Sequence, residues 1–332
     1  MNHEAQKVRR VKILGTGSHV PEAVLRSEDF SCFIDTSEKW ILERTGIRER
    51  RIARDGETTA RLATEAARNA LEASGLAPED LDAIVLGTIT PDTMFPATAC
   101  YLQKNLGCRK IPAFDLLAAC SGFIYGCAVA ASFIDSGLYR HVLVAGAETL
   151  TKITDYQDRN TCILFGDGAG AVVLGPSDGD SCFLSINLYS ELDAEMMVLP
   201  GGGSRAPATH KTVDERLHYM RLKGRDIFRF AVTEMCNMLE HEFETNGIGP
   251  DDLKYIVPHQ VNYRILQAAA DRFGFPLDKV YLNLDRFGNT SAASVPIALD
   301  EAVRAGKVER GDLLLLVAFG GGKTWASSLV RY

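Results

Sequence analysis

The chain has eight cysteines but no CxxC pair, so the ligand spacing of a zinc ribbon is missing. At positions 32, 100, 108, 120, 127, 162, 182 and 236 they are too sparse for a disulfide framework in 332 residues. Reduced thiols, a cytoplasmic setting and no metal are the expectation. Long apolar runs are absent as well. The stretch around LLLLVAF falls far short of a membrane span. The start, MNHEAQKVRR, has charge without the apolar core of a secretory leader. Positive charge is in deficit: 36 Lys and Arg against 43 Asp and Glu leave a net charge of −7, which argues against a nucleic-acid surface. That total is compatible with a local basic patch for an acidic partner or a phosphorylated ligand. A hydrophobic content of 46 % and a charged content of 24 % describe a globular chain with room for a large core.

What the chain does contain is a repeat. SGLAPEDLDAIVLG, from Ser74, is echoed by NGIGPDDLKYIVPH, from Asn246. Gly75, Pro78, Leu81 and Ile84-Val85 match Gly247, Pro250, Leu253 and Ile256-Val257, each 172 residues on. Both copies follow a helical pattern and pass through a Pro/Asp turn into a β-branched run, the sign of an α/β layer buried on both faces. HVLVAGAE and LLLLVAFGGG are a further echo. Two similar α/β halves are expected, 1–180 and 181–332, with GPSDGDS near the junction and a pseudo-twofold axis between them. A site at the seam follows.

LLAACSGFIYG sets Cys120 between a short strand, IPAFDLL, and a helix that stops at Gly137. Unpaired amides at a helix start favour a thiolate, so a thiol pKa below the usual value of about 8.5 is expected there. The repeat offset carries Cys120 to Ala292, within LDRFGNTSAASVPIAL, and so across the seam from the Asn289 turn. His259 follows the strand KYIVP. Cys120 is a soft nucleophile, and His259 and Asn289 can donate hydrogen bonds to an oxygen that becomes negative, so the three together make a candidate catalytic site.

Three glycine motifs do not signal a nucleotide site. GGGKT lacks the earlier glycine of a P-loop, since Val317 is in its place, and WASSLVRY after it alternates like a strand. FGDGAGAVVLG lacks dinucleotide spacing; its Asp167-Gly168 reads as a hairpin turn, with AVVLG the returning strand. VLPGGGSR, at 198–205, marks a flexible loop after a Met-rich stretch, either a lid or an ordinary surface loop.

Taken together, DTSEKWILERTGIRERR, TPDTMFPATAC, DLLAACSGF, CILFGDGAGAVVL, PHQVNYRI, FGNTSAASVPIAL and AFGGGKTW resemble the β-ketoacyl-acyl-carrier-protein synthase III family, in order and spacing over nearly the whole chain. The departures are small: Val261 stands at a usual alanine and Lys323 at a usual apolar position. The resemblance implies a thiolase fold layered αβαβα, and an initiating condensing enzyme of bacterial fatty-acid synthesis. Its substrates would be an acyl-CoA primer and malonyl-acyl carrier protein, its products a 3-ketoacyl-carrier protein, CoA and CO₂. It implies no cofactor, a homodimer, and partnership with acyl carrier protein and CoA thioesters. A related ketosynthase or acyltransferase of secondary metabolism, with another acceptor, is the alternative. A non-catalytic acyl-binding relative would have lost the nucleophile or the oxyanion turn, and both are present.

Carried over residue by residue, the resemblance makes Cys120 the acyl acceptor, with its own N–H and that of Gly321 as the oxyanion hole, and His259 and Asn289 the donors to the malonyl thioester. Trp40 and Arg44, four apart on a helix expected from Asp35 to Gly46, would sandwich the CoA base, with Arg159 nearby. Asn262, Phe228 and Phe319 would contact the rest of the CoA thioester. Phe95, Leu164 and Phe165 would shape the acyl pocket, Phe95 from across the dimer. Arg225, Arg229, Arg264 and Arg272 would receive the acidic carrier protein, although Asp271 stands where the family is often basic.

Overall fold

The computed structural model describes residues 11–332; the charged start, residues 1–10, lies outside the described residues. In chain order the main strands of the first half are β1 (Val11–His19), β2 (Ala83–Gly87), β3 (Ala113–Leu116), β4 (Val142–Thr149) and β5 (Asp167–Pro176). Its main helices are α1 (Glu38–Thr45), α2 (Thr59–Ser74), α3 (Thr98–Leu106) and α4 (Gly122–Asp135). The second half supplies β6 (Cys182–Ser190), β7 (Tyr255–Pro258), β8 (Leu313–Gly320) and β9 (Thr324–Arg331), with α5 (Gly224–Asn246), α6 (Tyr263–Phe273) and α7 (Ser294–Arg304).

The first sheet has the order β1-β5-β4-β2-β3 and the second β7-β8-β9-β6. In each, a parallel pair (β2 with β4, β7 with β8) continues into two antiparallel strands. The counterpart of β3 is reduced to one parallel bridge, Ile256 to Val280. Strands β4 and β8 are buried at every residue because both faces are covered. Helices α2 and α3 cover the outer face of the first sheet, and α5 and α6 that of the second. Helices α4 and α7 lie between the sheets in one shared core, with Phe123, Cys127, Val144, Leu299 and Leu316 among its residues. The layers are therefore αβαβα.

The 172-residue offset holds in detail. Single-turn helices occupy Pro78–Asp80 and Pro250–Asp252. Others occupy Ala119–Ser121 and Ser291–Ala293, just ahead of α4 and α7. Ala119 and Ser291 both have positive φ, 46° and 48°, a conformation costly for residues with a Cβ.

Two local expectations are corrected. Asp167-Gly168 is no turn: both residues open β5, because the Asp167 carboxylate takes the N–H groups of Ala53 (2.7 Å) and Thr151 (2.9 Å) and holds the chain extended between them. Helix α1 begins at Glu38 and not Asp35, because Ser37 caps it by accepting the Trp40 N–H at 3.2 Å. GGGKT is the tight connection of the β8–β9 hairpin, where Gly320 pairs with Thr324.

Candidate active site

Cys120 sits on the strained turn before α4 and is 4 % exposed. Two bonds tie this turn to the β8–β9 hairpin of the other half: Ser121 Oγ donates to the Thr324 carbonyl at 3.1 Å, and Thr324 Oγ1 to the Ala118 carbonyl at 2.8 Å. The approach is so close that a Cβ on Gly320 would stand 2.6 Å from the Cys120 nitrogen. The amides of Cys120 and Gly321, the two expected oxyanion donors, both lie beside the sulfur and favour its charged form. They do not make the resting thiol acidic. Burial, assisted by the nearby Glu148 carboxylate, outweighs them and pushes the Cys120 thiol up to about 12. This corrects the expectation from helix placement alone: the turn is desolvated more than it is electropositive.

His259 follows β7 and is fixed by its N–H, which donates to the Val317 carbonyl at 2.7 Å. Its Nδ1 lies 2.6 Å from Ser294 Oγ, which is itself 2.9 Å from the Ser291 carbonyl. The single Ser294 proton decides the tautomer. Given to the carbonyl, it leaves a lone pair at Nε2; given to Nδ1, it leaves an N–H donor there. Burial pushes the His259 pKa down to about 3, so the ring is neutral at neutral pH. Asn289 uses Oδ1 to accept the Ser291 N–H at 2.8 Å, which leaves its amide nitrogen to donate. Its backbone is braced by Leu164 and Gly166, through bonds of 2.9 and 3.0 Å. Cys120, His259 and Asn289 line one small chamber with Met197, Val261 and Phe319. The Phe319 ring stands edge-on to His259 at 5.6 Å.

A second cavity, of about 700 Å³, is lined by Trp40, Arg44, Phe228 and Asn262, together with Leu164. Arg225, Arg229 and Arg264 line it too. The guanidinium groups of Arg44 and Arg159 lie 4.6 and 4.5 Å from the Trp40 ring centroid. Both ends of the Asn262 amide have protein partners: Oδ1 caps α6 at Arg264 N (2.9 Å) and Nδ2 donates to the Arg44 carbonyl (3.0 Å). The chamber and the cavity are separated by neighbours in sequence, Ile227 from Phe228 and Val261 from Asn262. Phe165 is buried against Leu150 and Met220. Phe95 lines neither space and is 86 % exposed. Arg272 stands apart as well, in the last turn of α6 beside Cys236. Lys323 is drawn outward to Glu191 (3.4 Å) and Asp193 (3.9 Å).

Residues 114–192 match the family described as 3-oxoacyl-[acyl-carrier-protein (ACP)] synthase III, and residues 243–332 match its C-terminal part. A beta-ketoacyl-[acyl-carrier-protein] synthase III of Caldanaerobacter subterraneus subsp. tengcongensis is 51 % identical over 321 residues, 96 % of this chain and 97 % of the relative. The chain belongs to the 3-oxoacyl-[acyl-carrier-protein] synthase III family. The crystal structure of 3-oxoacyl-[acyl-carrier-protein] synthase III from Aquifex aeolicus superposes with a TM-score of 0.89 at 46 % identity, covering 97 % of this chain and all of that one. The priming beta-ketosynthase of the R1128 polyketide pathway is more distant, at 35 % identity and a TM-score of 0.87 over 99 % and 98 % of the two chains. The thiolase fold of the family is the layered arrangement described above.

Some of the site's residues escaped the sequence reading. Glu148 is fully buried at the end of β4, where its carboxylate accepts from Thr90 Oγ1 (2.5 Å), Ser291 Oγ (3.1 Å), Thr88 Oγ1 and the Ile89 N–H (both 3.2 Å). One signal was available: in VLVAGAET it is the lone charge on a strand otherwise suited to complete burial. Ser291 and Ser294 left only a hydroxyl-rich turn, which cannot be told from an ordinary surface loop without its partners.

Proposed function

We propose that this chain starts fatty-acid chains by a two-stage reaction at Cys120. The sulfur attacks the carbonyl of an acyl-CoA primer, and the oxyanion is held by the N–H groups of Cys120 and Gly321. CoA leaves and the acyl group stays as a thioester. Malonyl-acyl carrier protein follows. Asn289, through its amide nitrogen, and His259, in the tautomer that carries its proton on Nε2, donate to the malonyl thioester oxygen. The malonyl C–C bond then breaks, CO₂ departs, and the electron pair forms an enolate. That carbon attacks the acyl-cysteine, giving the 3-ketoacyl-carrier protein and freeing the Cys120 thiolate. Both substrates bring their own activation, a thioester and a departing carboxylate, so the sequence of steps calls on no cofactor.

The observation that carries this reading is the convergence of two backbone donors on one buried sulfur, in the chamber that also holds a neutral imidazole and a half-engaged amide. The larger cavity supports CoA binding: the guanidinium groups of Arg44 and Arg159 lie on the Trp40 ring, and a flat base that takes the place of one of them is held by stacking worth about 1 kcal/mol or more. Arg225, Arg229 and Arg264 around it suit an acidic carrier protein, with Arg272 a more remote contributor. Exposed Phe95, with exposed Met94 beside it, fits a cytoplasmic homodimer in which each chain closes its neighbour's acyl pocket near Leu164 and Phe165. The division into units 1–180 and 181–332 is part of the same reading, with the nucleophile in one and its two partners in the other.

The test is covalent. A short acyl-CoA should add one acyl mass, located by peptide mapping to Cys120, and malonyl-carrier protein should then discharge it with release of CO₂. Acylation of another cysteine, or wild-type labelling in Cys120→Ser, overturns the assignment.

A further inference from the structure

The buried carboxylate of Glu148 has no part in the steps above, yet one hydroxyl links it to the nucleophile. Ser291 Oγ donates to Glu148 Oε1 at 3.1 Å, and the same hydroxyl is close enough to the Cys120 sulfur to favour its charged form. Through its N–H and carbonyl, Ser291 further reaches Asn289 (2.8 Å) and Ser294 (2.9 Å), the partner of His259. Ser291 sits there at φ 48°, the conformation of this turn in both halves, and in the second half the residue at that position carries a hydroxyl. Resting on the reading of Cys120 as the acyl acceptor, we propose that Glu148 receives the Cys120 proton through Ser291 and stores it for the lifetime of the acyl-enzyme.

The step balances. The Sγ–H bond breaks as Ser291 Oγ takes that proton, and the Ser291 O–H bond breaks as Glu148 Oε1 takes the second. The negative charge moves from carboxylate to sulfur, and the thiolate attacks the acyl carbonyl. CoA departs as a thiolate and is protonated by water. When condensation later frees Cys120 as a thiolate, the proton returns from Glu148 along the same path. One solvent proton is consumed per turnover, as the loss of malonyl carboxylate to CO₂ requires. Glu148 touches no substrate atom; it acts only through Ser291.

The groups around the carboxylate favour it over His259 as the acceptor, and burial acts in the same direction. Among the described residues, every hydrogen-bond partner of the Glu148 carboxylate is a donor: the Thr88 and Thr90 hydroxyls and Ile89 N–H after β2, and Ser291 from the second half. The ionisable side chain facing it is Cys120, and no cation stands among these partners. Burial lifts the Glu148 pKa to about 7 and lowers that of His259 to about 3, so the carboxylate is the stronger base at neutral pH.

The experiment is the pH profile of single-turnover Cys120 acylation by acetyl-CoA, read by rapid quench and intact mass. Wild type should rise to a plateau with an inflection near pH 7, following Glu148. Glu148→Gln should lose about 100-fold in rate at neutral pH and lose the inflection, its rate rising with pH toward the thiol's own ionisation. Ser291→Ala should behave alike without any change of charge, and the double variant should be no worse than either single one. Its fold is secured by precedent, since Ala119 holds the same positive φ at the equivalent turn. Glu148→Asp should recover part of the rate and the inflection. If Ser291→Ala keeps wild-type rate and inflection, or His259→Ala alone abolishes the inflection, the relay is wrong. Failure of wild type to acylate at Cys120 overturns the underlying reading instead.

Discussion

Asn289 has two roles that substitution can separate. Its Oδ1 braces the Ser291 N–H at 2.8 Å, and its amide nitrogen is the donor proposed for the malonyl thioester. Asn289→Ala removes both. The buried Ser291 N–H loses its acceptor, a cost of about 1–3 kcal/mol in stability, and the enolate loses one donor, about 100- to 1000-fold in rate. Acylation of Cys120 asks nothing of the amide, so it should fall by no more than about tenfold, the size of a 1.4 kcal/mol disturbance passed on through Ser291. Asn289→Asp keeps the acceptor for Ser291 but puts an oxygen where the NH₂ group was. It should preserve the turn while decarboxylation falls at least as far as in the alanine variant. The assays are intact-mass kinetics of acylation from acyl-CoA and CO₂ release from malonyl-carrier protein, on variants with a wild-type circular dichroism spectrum. Acylation in Asn289→Ala as poor as in Cys120→Ala would refute the division of labour, and so would undiminished CO₂ release in Asn289→Asp.

Two other outcomes are expected. Burial holds His259 well below its unfolded pKa of 6.5, so its contribution to stability is complete above pH 6.5 and is lost as pH falls toward 3. The raised carboxyl groups of Glu148 and Asp167 act in the opposite sense, gaining stability as pH falls through about 7 and 6. The His259 effect is therefore read as a difference: urea titrations should show the advantage of wild type over His259→Asn shrinking from pH 7 to pH 4, and a constant difference would count against it. Arg229→Glu and Arg264→Glu should raise the KM for malonyl-carrier protein while acyl-CoA labelling of Cys120 stays near wild type, because docking charge acts on encounter. Unchanged carrier kinetics in both variants would move the docking patch elsewhere.

The repeat was legible because each half must solve the same burial problem with the same punctuation. Gly75 and Gly247 both end long helices at positive φ, and the Pro78 and Pro250 turns both feed strands buried on two faces. Cys120, His259 and Asn289 were legible for a related reason, since polar residues at strand ends and turns of an otherwise apolar frame need a purpose. The charge state of Cys120 was not. A helix start is written in local sequence, whereas desolvation depends on Gly320, Met197 and Phe319 arriving from the other half. Asp167-Gly168 misled for the same reason: its extended backbone is held by Ala53, more than 100 residues away in the chain. Glu148 escaped because its meaning lies in a contact with Ser291, 143 residues on, and no local pattern encodes that.

The central layer also makes each half depend on the other. Helix α4, GFIYGCAVAASFID, has no charged residue before its last position, and it packs on strands of both sheets. Helix α7 meets it in the same core and buries nearly all of its own length. A half-length chain built like either unit would leave one apolar helix face bare, and a copy of itself carries the matching face to cover it. The contact of α4 with α7 is the one that two copies of such a unit would make through that face. Within one chain the two copies of one turn are free to differ, and here the first carries Cys120 while the second carries the Asn289–Ser291 brace.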